Sequence, residues 1–295
     1  MQIITPVQIT DAMLVSSSLP EADYPVWNAG TAYAVGVRVI RPATHSVYVR
    51  TVAGTTATAP ESDPANWQRV GPTNRWAMFD KATGTVSAGA TSMTFTIAPG
   101  LVGGLALMDI TGNSVTVEMR SGDVVVFSRT VALISGEAGI SDWFTYFFAP
   151  FVQKRTVVIT DLPPYAEGQI TVTVNGGSVI GLGTVAVGLL YDLGGTRYGM
   201  QLGMIDYSIK TTDAFGATTL TERAFAKRMT VPIVIRSGDV DEAARRLQLI
   251  RATPVVWLGT TRYDQSVVYG FFKDWSIDIA YDQISYASLT IEGLA

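Results

Sequence analysis

The sequence contains no cysteine and a single histidine among its 295 residues. Without cysteine the chain can form no disulfide, and it has neither a thiolate nucleophile nor a cysteine-ligated zinc site. A serine–histidine–aspartate triad would have to use His45, whose neighbours ATHSVY are typical of a turn between strands. No serine stands in a Gly-x-Ser-x-Gly elbow. The sequence therefore predicts a turn histidine and no catalytic residue.

Charge is also scarce. Charged residues make up 16% of the chain, compared with about 25% in an ordinary soluble domain. The net charge is −4 and no basic run occurs, so a surface that follows nucleic-acid phosphates is not expected. A weakly charged surface is typical of a chain that other subunits cover, and this favours a component of an assembly. The alternative is one large β-protein rich in threonine, serine and glycine.

No long run is uniformly apolar. The longest uncharged stretch, 169–191, carries Asn175 and several glycines, and it opens with the alternating residues Ile170, Val172 and Val174. That alternation predicts strands and no membrane span. The same stretch contains GLGTVA at 181–186, which fits a dinucleotide fingerprint only if a helix follows it. The continuation is β-branched, so a strand is predicted instead. No cofactor and no metal ion are expected, because the carboxylates show no ligand spacing.

Residue composition, turn residues and the alternation of apolar residues divide the chain into four segments. Residues 1–24 have the composition of an N-terminal arm, and residues 25–71 form a small β domain of short strands separated by turn residues. Residues 72–200 are a succession of strands, such as TSMTFTIA with Met93, Phe95 and Ile97 on one face, which predicts a β-sandwich domain. Residues 201–295 predict an α+β domain. The predicted fold is mainly β: a small three-stranded β module, a central β-sandwich, and a C-terminal domain with one helix on an antiparallel sheet.

The predicted helix has the sequence GDVDEAARRLQLIRA, with Asp239 or Ser237 as the N-terminal cap. Its apolar residues at helical spacing are Ala243, Ala244, Leu247 and Ile250. The pentamer RSGDV opens this segment at 236–240 and also occurs at 120–124. One copy precedes a predicted strand and the other a predicted helix. We therefore expect shared turn chemistry and no structural repeat.

Two aromatic groups are candidates for contacts. The segment DWFTYFFAPF at 142–151 is dense in aromatic residues and predicts a core or subunit contact ahead of a ligand site. In the small module, four aromatics occur within 41 residues: Trp27, Tyr33, Tyr48 and Trp67. A module of this size without disulfides needs aromatics for its own core. We expect Tyr48 and Trp67 to be core, and Trp27 and Tyr33 to be the surface candidates for carbohydrate binding.

The spacing of these aromatics resembles that of a known family. Trp27, Tyr33, Gly36, Val39, Tyr48, Pro60 and Trp67 are similar in order to the small chitin- and cellulose-binding modules of the type 5/12 carbohydrate-binding families. That resemblance covers about 45 residues and implies the small β fold. The family usually places a pair of exposed aromatics after the second tyrosine, where this chain has TVAG at 51–54.

The chain as a whole is similar to tail proteins of bacteriophages. The segments that carry this resemblance are IITPVQITDAMLVSSSLPE, VGPTNRWAMFD, YGMQLGMIDYSIKTTDAFG and VVYGFFKDWSIDIAY. The resemblance implies a virion structural protein of the tail tip or baseplate, made in the cytoplasm of the host bacterium. It also implies partners: copies of the same chain, other tail proteins and glycans on the host surface. The alternatives are a glycan-binding adhesin, which would use Trp27 and Tyr33, and, as a weaker hypothesis, a polysaccharide-degrading enzyme.

Overall fold

The computed structural model describes residues 1–135, 143, 152–177 and 179–294. Strands account for 51% of the chain and helical residues for 9%, which confirms the mainly β prediction. The strands of the first 72 residues are short. They are β1 (Gln2–Pro6), β2 (Leu14–Ser17), β3 (Ala32–Tyr33), β4 (Arg38–Arg41), β5 (Ser46–Arg50), β6 (Gly54–Thr55) and β7 (Trp67–Pro72).

Eleven strands follow between residues 87 and 192. They are β8 (Ser87–Gly89), β9 (Ser92–Ile97), β10 (Gly104–Met108), β11 (Ser114–Ser121), β12 (Val124–Ala132), β13 (Ile134–Ser135), β14 (Val152–Gln153), β15 (Thr156–Ile159), β16 (Gln169–Asn175), β17 (Ile180–Leu182) and β18 (Thr184–Asp192). The glycine-containing sequence at 181–186 runs from β17 into β18 with Gly183 between them, and no helix follows it, in agreement with the prediction of strand structure.

Residues 195–294 contain eight strands and one α-helix. The strands are β19 (Gly195–Thr196), β20 (Gln201–Asp206), β21 (Ile209–Thr212), β22 (Thr218–Thr221), β23 (Phe225–Arg236), β24 (Val255–Leu258), β25 (Val267–Asp278) and β26 (Ile284–Gly293). The helix α1 spans Val240–Leu249. Short 3₁₀ turns lie at Pro42–Thr44, Pro60–Ser62, Ala77–Phe79, Ser237–Asp239 and Asp264–Ser266.

A curled antiparallel sheet of ten strands unites distant parts of the chain. Its order is β15-β10-β18-β1-β24-β25-β26-β23-β19, and β20 also pairs with β23. Strand β1 lies inside this sheet, because it pairs with β18 through Ile4↔Leu190 and with β24 through Ile4↔Val256. Ile3 and Ile4 are both completely buried, so both faces of β1 are covered.

The segment predicted as an arm, 1–24, thus supplies two strands to the folded body. Besides β1, it contributes β2, which pairs with β9. The physical reason is the pair of adjacent isoleucines, since a strand that is covered on both faces carries consecutive apolar residues without alternation. The division of the chain into four domains stays a prediction.

A second antiparallel sheet has the order β12-β11-β16-β9-β2. The predicted alternation in β9 is confirmed, because Met93, Phe95 and Ile97 are completely buried. These residues share one hydrophobic core cluster with Leu105 and Leu107 of the ten-stranded sheet. On its other face the second sheet carries cross-strand threonine pairs. Their Oγ1 atoms are 3.2 Å apart in Thr94–Thr173, 2.9 Å in Thr96–Thr171 and 2.9 Å in Thr116–Thr130.

Helix α1 packs on the ten-stranded sheet. Its apolar face buries Ala243 and Leu247, and Ile250 directly after the helix is also buried. These residues belong to one core cluster with Trp257 and Ile233 of the sheet. The prediction of one helix on an antiparallel sheet is therefore confirmed in this coarse form.

The predicted helix cap is wrong. Asp239 precedes the helix without making a side-chain capping hydrogen bond, and its carboxylate lies 3.5 Å from Arg236 Nε. The Ser237 hydroxyl donates to the Tyr281 carbonyl at 3.1 Å. The 3₁₀ turn Ser237–Asp239 leads directly into α1, so Asp239 already has helical backbone angles, whereas a capping residue has extended ones.

Candidate functional site

The small module has a separate aromatic core. Strands β4, β5 and β7 form its three-stranded antiparallel sheet, and β3 pairs with β6 beside it. Tyr48 and Trp67 retain only 5% and 2% of their accessible surface, so the prediction that they are core is confirmed. With Trp27 and Val39 they form a hydrophobic cluster that is distinct from the other core clusters.

Trp27 is also inside this cluster, and only 9% of its surface is exposed, so the expectation that it is a surface residue is wrong. The Arg41 guanidinium lies over its ring, with Cζ 5.0 Å from the ring centroid. Arg41 is held there by Glu61, whose carboxylate accepts hydrogen bonds of 3.0 Å from Nε and 2.7 Å from Nη2. The hydrogen bonds from Arg41 lower the pKa of the Glu61 carboxyl. A sugar ring could stack on this face of Trp27 only after displacing the guanidinium.

Tyr33 is half-buried at the edge of the same cluster. Its ring meets Trp67 edge to face, with centroids 5.2 Å apart, and its hydroxyl accepts a hydrogen bond of 2.9 Å from the Asn28 amide. The structure therefore brings Trp27 and Tyr33 to one core. Their assignment as carbohydrate-binding residues stays a prediction.

His45 lies in a turn, as predicted: it follows the 3₁₀ turn Pro42–Thr44 and has a left-handed backbone with φ 48°. Its Nδ1 is 3.1 Å from Glu21 and its Nε2 is 3.0 Å from Asp11. The imidazole also stacks on Trp76 at a centroid distance of 4.0 Å. The histidine thus connects the small module to the first segment and to the chain that follows the module. No group of three or more potential ligands that could hold a metal occurs in the described residues.

An extension of the structure exposes a series of apolar side chains. We call residues 198–225 the extension; it comprises β20, the hairpin β21–β22 and the start of β23. Between residues 201 and 225, every residue except Ile205 and Ser208 is exposed. The large apolar side chains that it exposes are Tyr198 (101% exposed), Leu202 (42%), Met204 (69%), Tyr207 (48%), Ile209 (38%), Phe215 (96%), Leu220 (73%) and Phe225 (57%).

The extension has a defined backbone. Strands β21 and β22 pair in register from Ile209↔Thr221 to Thr212↔Thr218. At the tip, the Asp213 carboxylate accepts hydrogen bonds from the amides of Phe215 and Ala217, at 2.9 and 2.8 Å. At the base, the Asp206 carboxylate accepts one of 2.8 Å from the Ser208 amide, and hydrogen bonding at Ser208 lowers the Asp206 pKa. This surface was missed from the sequence, because β21 (IKTT) and β22 (TTLT) carry no apolar alternation that distinguishes an exposed hairpin.

A cavity of about 240 Å³ lies against the base of the extension. Its polar lining includes Asp109, Thr156, Thr184, Lys227 and Tyr269. Burial lowers the pKa of the Lys227 ammonium, and the charges of Asp109 and Asp264 partly oppose that effect. Burial also raises the pKa of the Tyr269 hydroxyl, to which the charge of Asp80 adds.

Lys227→Met should stabilise the protein at neutral pH. Because burial depresses the folded-state pKa, the unfolded chain binds the proton more tightly, so ionised Lys227 opposes folding below its ordinary pKa of 10.5. We expect a gain of less than about 1 kcal/mol, since solvent screens the partly exposed amine. The gain should shrink as the pH rises toward 10.5. Urea unfolding at neutral and alkaline pH tests this, with exposed Lys210→Met as the control. An equal gain in both variants would contradict it.

Comparison with known proteins adds no family: no family model matches the chain, and no curated protein matches it. Within the described residues, no helix is sufficiently long and apolar to cross a membrane. Of the aromatic segment 142–151, only Trp143 is described, and it is 79% exposed; the predicted core or subunit contact otherwise lies outside the described residues.

Proposed function

We propose that this chain is a structural protein of a phage tail tip or baseplate, which assembles with copies of itself and with other tail proteins. The extension is the observation that carries the proposal. Its strands carry exposed residues on both faces, and the described part of the chain leaves Tyr198, Phe215 and Leu220 almost wholly or largely uncovered. Exposed apolar clusters of this kind mark protein–protein contacts.

The energetics of the extension support assembly. A two-stranded hairpin alone is marginally stable in water, and ordering its residues costs conformational entropy. The hairpin β21–β22 has exposed residues throughout both strands and gains little from burial in the monomer. Strand β20 pairs with β23 in the described structure, and its other edge is available to a strand of another subunit. Contacts with a partner would bury these side chains and offset the cost.

The proposal extends to the finer organisation of the chain. We propose that residues 25–71 are a module like the type 5/12 carbohydrate-binding modules, that 72–200 form a β-sandwich domain and that 201–295 form an α+β domain. The separate aromatic cluster of the module supports the first assignment. The proposal assigns no catalytic residue, cofactor or metal to the chain.

The composition of virions tests the proposed function. Mass spectrometry of purified particles should find the chain as a stoichiometric component, and antibody labelling in negative stain should place it at one end of the tail. A chain that is absent from intact particles would contradict the proposal.

The adhesin alternative depends on Tyr33, because its ring is half-buried while Trp27 is covered by Arg41. Binding to a bacterial surface glycan that is lost in Tyr33→Ala would favour this alternative.

A further inference from the structure

Arg50 is a charged side chain buried in the small module. It lies at the end of β5 with 2% of its surface exposed, and it is the one charged residue among the buried residues of the described chain. Its guanidinium lies over Trp67, with Cζ 4.9 Å from the ring centroid. Arginine cannot lose its proton in a protein, so the positive charge is permanent.

This charge has no counter-ion in the described residues. Nε and Nη1 are completely buried and have no hydrogen-bond partner. The contact with Trp67 compensates the charge only in part, since a cation–π contact is weaker than a paired carboxylate. A buried charge that lacks a partner is strongly destabilising.

Each of the other arginines of the module has a polar partner. Arg41 is paired with Glu61, Arg69 Nε donates to the Ser46 hydroxyl at 3.0 Å, and Arg38 donates to the Tyr24 hydroxyl at 2.9 Å. The guanidinium groups of these three arginines are thus each hydrogen-bonded to a side-chain oxygen. Arg50 is the exception, because none of the described residues supplies a partner for its guanidinium.

The guanidinium reaches the surface at a single nitrogen. Nη2 is not among the fully buried atoms, and it lies beside Gly54, where an added Cβ would be 3.8 Å away. The chain around Arg50 carries exposed apolar side chains. Val35 and Val52 are 64% and 52% exposed, and the Val37 carbonyl accepts a hydrogen bond of 2.8 Å from the Arg50 amide.

We propose that Arg50 binds a carboxylate of a second copy of this chain. A carboxylate reaching Nη2 would provide the missing counter-charge, and the flanking valines would exclude water from the contact, as in the centre of a protein interface. A sugar acid fits less well, because Trp27, Tyr48 and Trp67 are buried and offer no open ring to a sugar.

The charge distribution favours a second copy as the partner. The module carries Arg38, Arg41, Arg50 and Arg69 against Glu61 and Asp63, a net charge of +2 with His45 neutral. The whole chain has a net charge of −4, which leaves −6 for the remainder. The module of one copy is therefore attracted to the body of another, a head-to-tail arrangement that generates rings or filaments. This inference rests on the proposed function, of which it names one contact.

Sedimentation velocity of the purified full chain tests the contact. Arg50→Met should raise the dissociation constant for self-association by about tenfold or more, and added salt should weaken the wild-type assembly more than the variant. The melting temperature of Arg50→Met should equal or exceed that of the wild type, because the substitution removes an unpaired buried charge. The matched control is Arg38→Met, an exposed arginine of the same module, which should associate like the wild type.

Three results would overturn the inference. In the first, folded Arg50→Met associates as the wild type does. In the second, its melting temperature falls while association is unchanged, which indicates a purely structural role. In the third, Arg50→Met loses binding to an acidic polysaccharide and still self-associates. In each case the proposed function stands if the wild type assembles and is found in virions. A monomeric chain that is absent from virions overturns both.

Discussion

Gly188→Ala is expected to lower the free energy of unfolding by about 3 kcal/mol, at the upper end of the cost of overpacking. Gly188 pairs with Pro6 of β1 on one side and with Gly104 of β10 on the other. An added Cβ would lie 1.8 Å from the Thr5 carbonyl oxygen, which belongs to the backbone and cannot rotate away. The substitution must therefore displace β1 or distort β18.

Urea unfolding followed by circular dichroism measures this effect. The matched control is Gly203→Ala in β20, where an added Cβ meets nothing within 4 Å. The control should change the free energy of unfolding by less than about 1 kcal/mol. Equal stabilities for the two variants would show that β1 does not lie against Gly188.

Trp257→Ala is expected to cost about 3–5 kcal/mol of folding free energy. The side chain is completely buried in the core between the ten-stranded sheet and α1. Its Nε1 donates a hydrogen bond of 3.0 Å to the Gly270 carbonyl, and its ring meets Phe272 at a centroid distance of 6.1 Å. The truncation leaves a large cavity and removes the partner of a buried carbonyl.

Tyr198→Ala provides the contrasting control for Trp257. Tyr198 is 101% exposed on the extension, so its loss should change stability by less than about 0.5 kcal/mol. Thermal and urea unfolding of both variants measure this difference in stability. A Trp257→Ala protein as stable as Tyr198→Ala would contradict the assignment of Trp257 to the core.

Local sequence patterns were sufficient to predict several secondary-structure elements. The alternation of Met93, Phe95 and Ile97 correctly predicts the buried face of β9, and the spacing of Ala243 and Leu247 correctly predicts α1. The position of β1 was not predictable in this way. Its partners β18 and β24 lie more than 180 residues away in the chain, and two adjacent isoleucines do not specify which strands cover them.

The repeated pentamer RSGDV shows the limit of local sequence. In the first copy, Gly122 has φ 59° in the turn between β11 and β12. In the second copy, Ser237–Asp239 form a 3₁₀ turn that enters α1. Identical residues therefore adopt different backbone conformations, and the following sequence, β-branched in one case and rich in alanine in the other, decides between them.

Local sequence was also insufficient to predict the environment of the candidate site residues. The spacing of the aromatics predicts that Tyr48 and Trp67 are core, but it does not show that Arg41 and Glu61 cover Trp27. The isolation of Arg50 depends on which carboxylates the fold brings near it, and no spacing in the sequence expresses that. The extension was missed because exposure depends on what the rest of the chain leaves uncovered.

Sedimentation velocity of an extension variant tests whether the exposed apolar side chains of the extension hold copies of this chain together. Phe215→Ser and Leu220→Ser, combined in one chain, remove two of the most exposed apolar side chains and leave the turn hydrogen bonds of Asp213 in place. Val124→Ser, 64% exposed at the start of β12, serves as the control outside the extension. We expect concentration-dependent assembly for the wild type and the control, and a monomer with an unchanged melting temperature for the double variant. A wild type that stays monomeric, or a double variant that assembles as the wild type does, would contradict it.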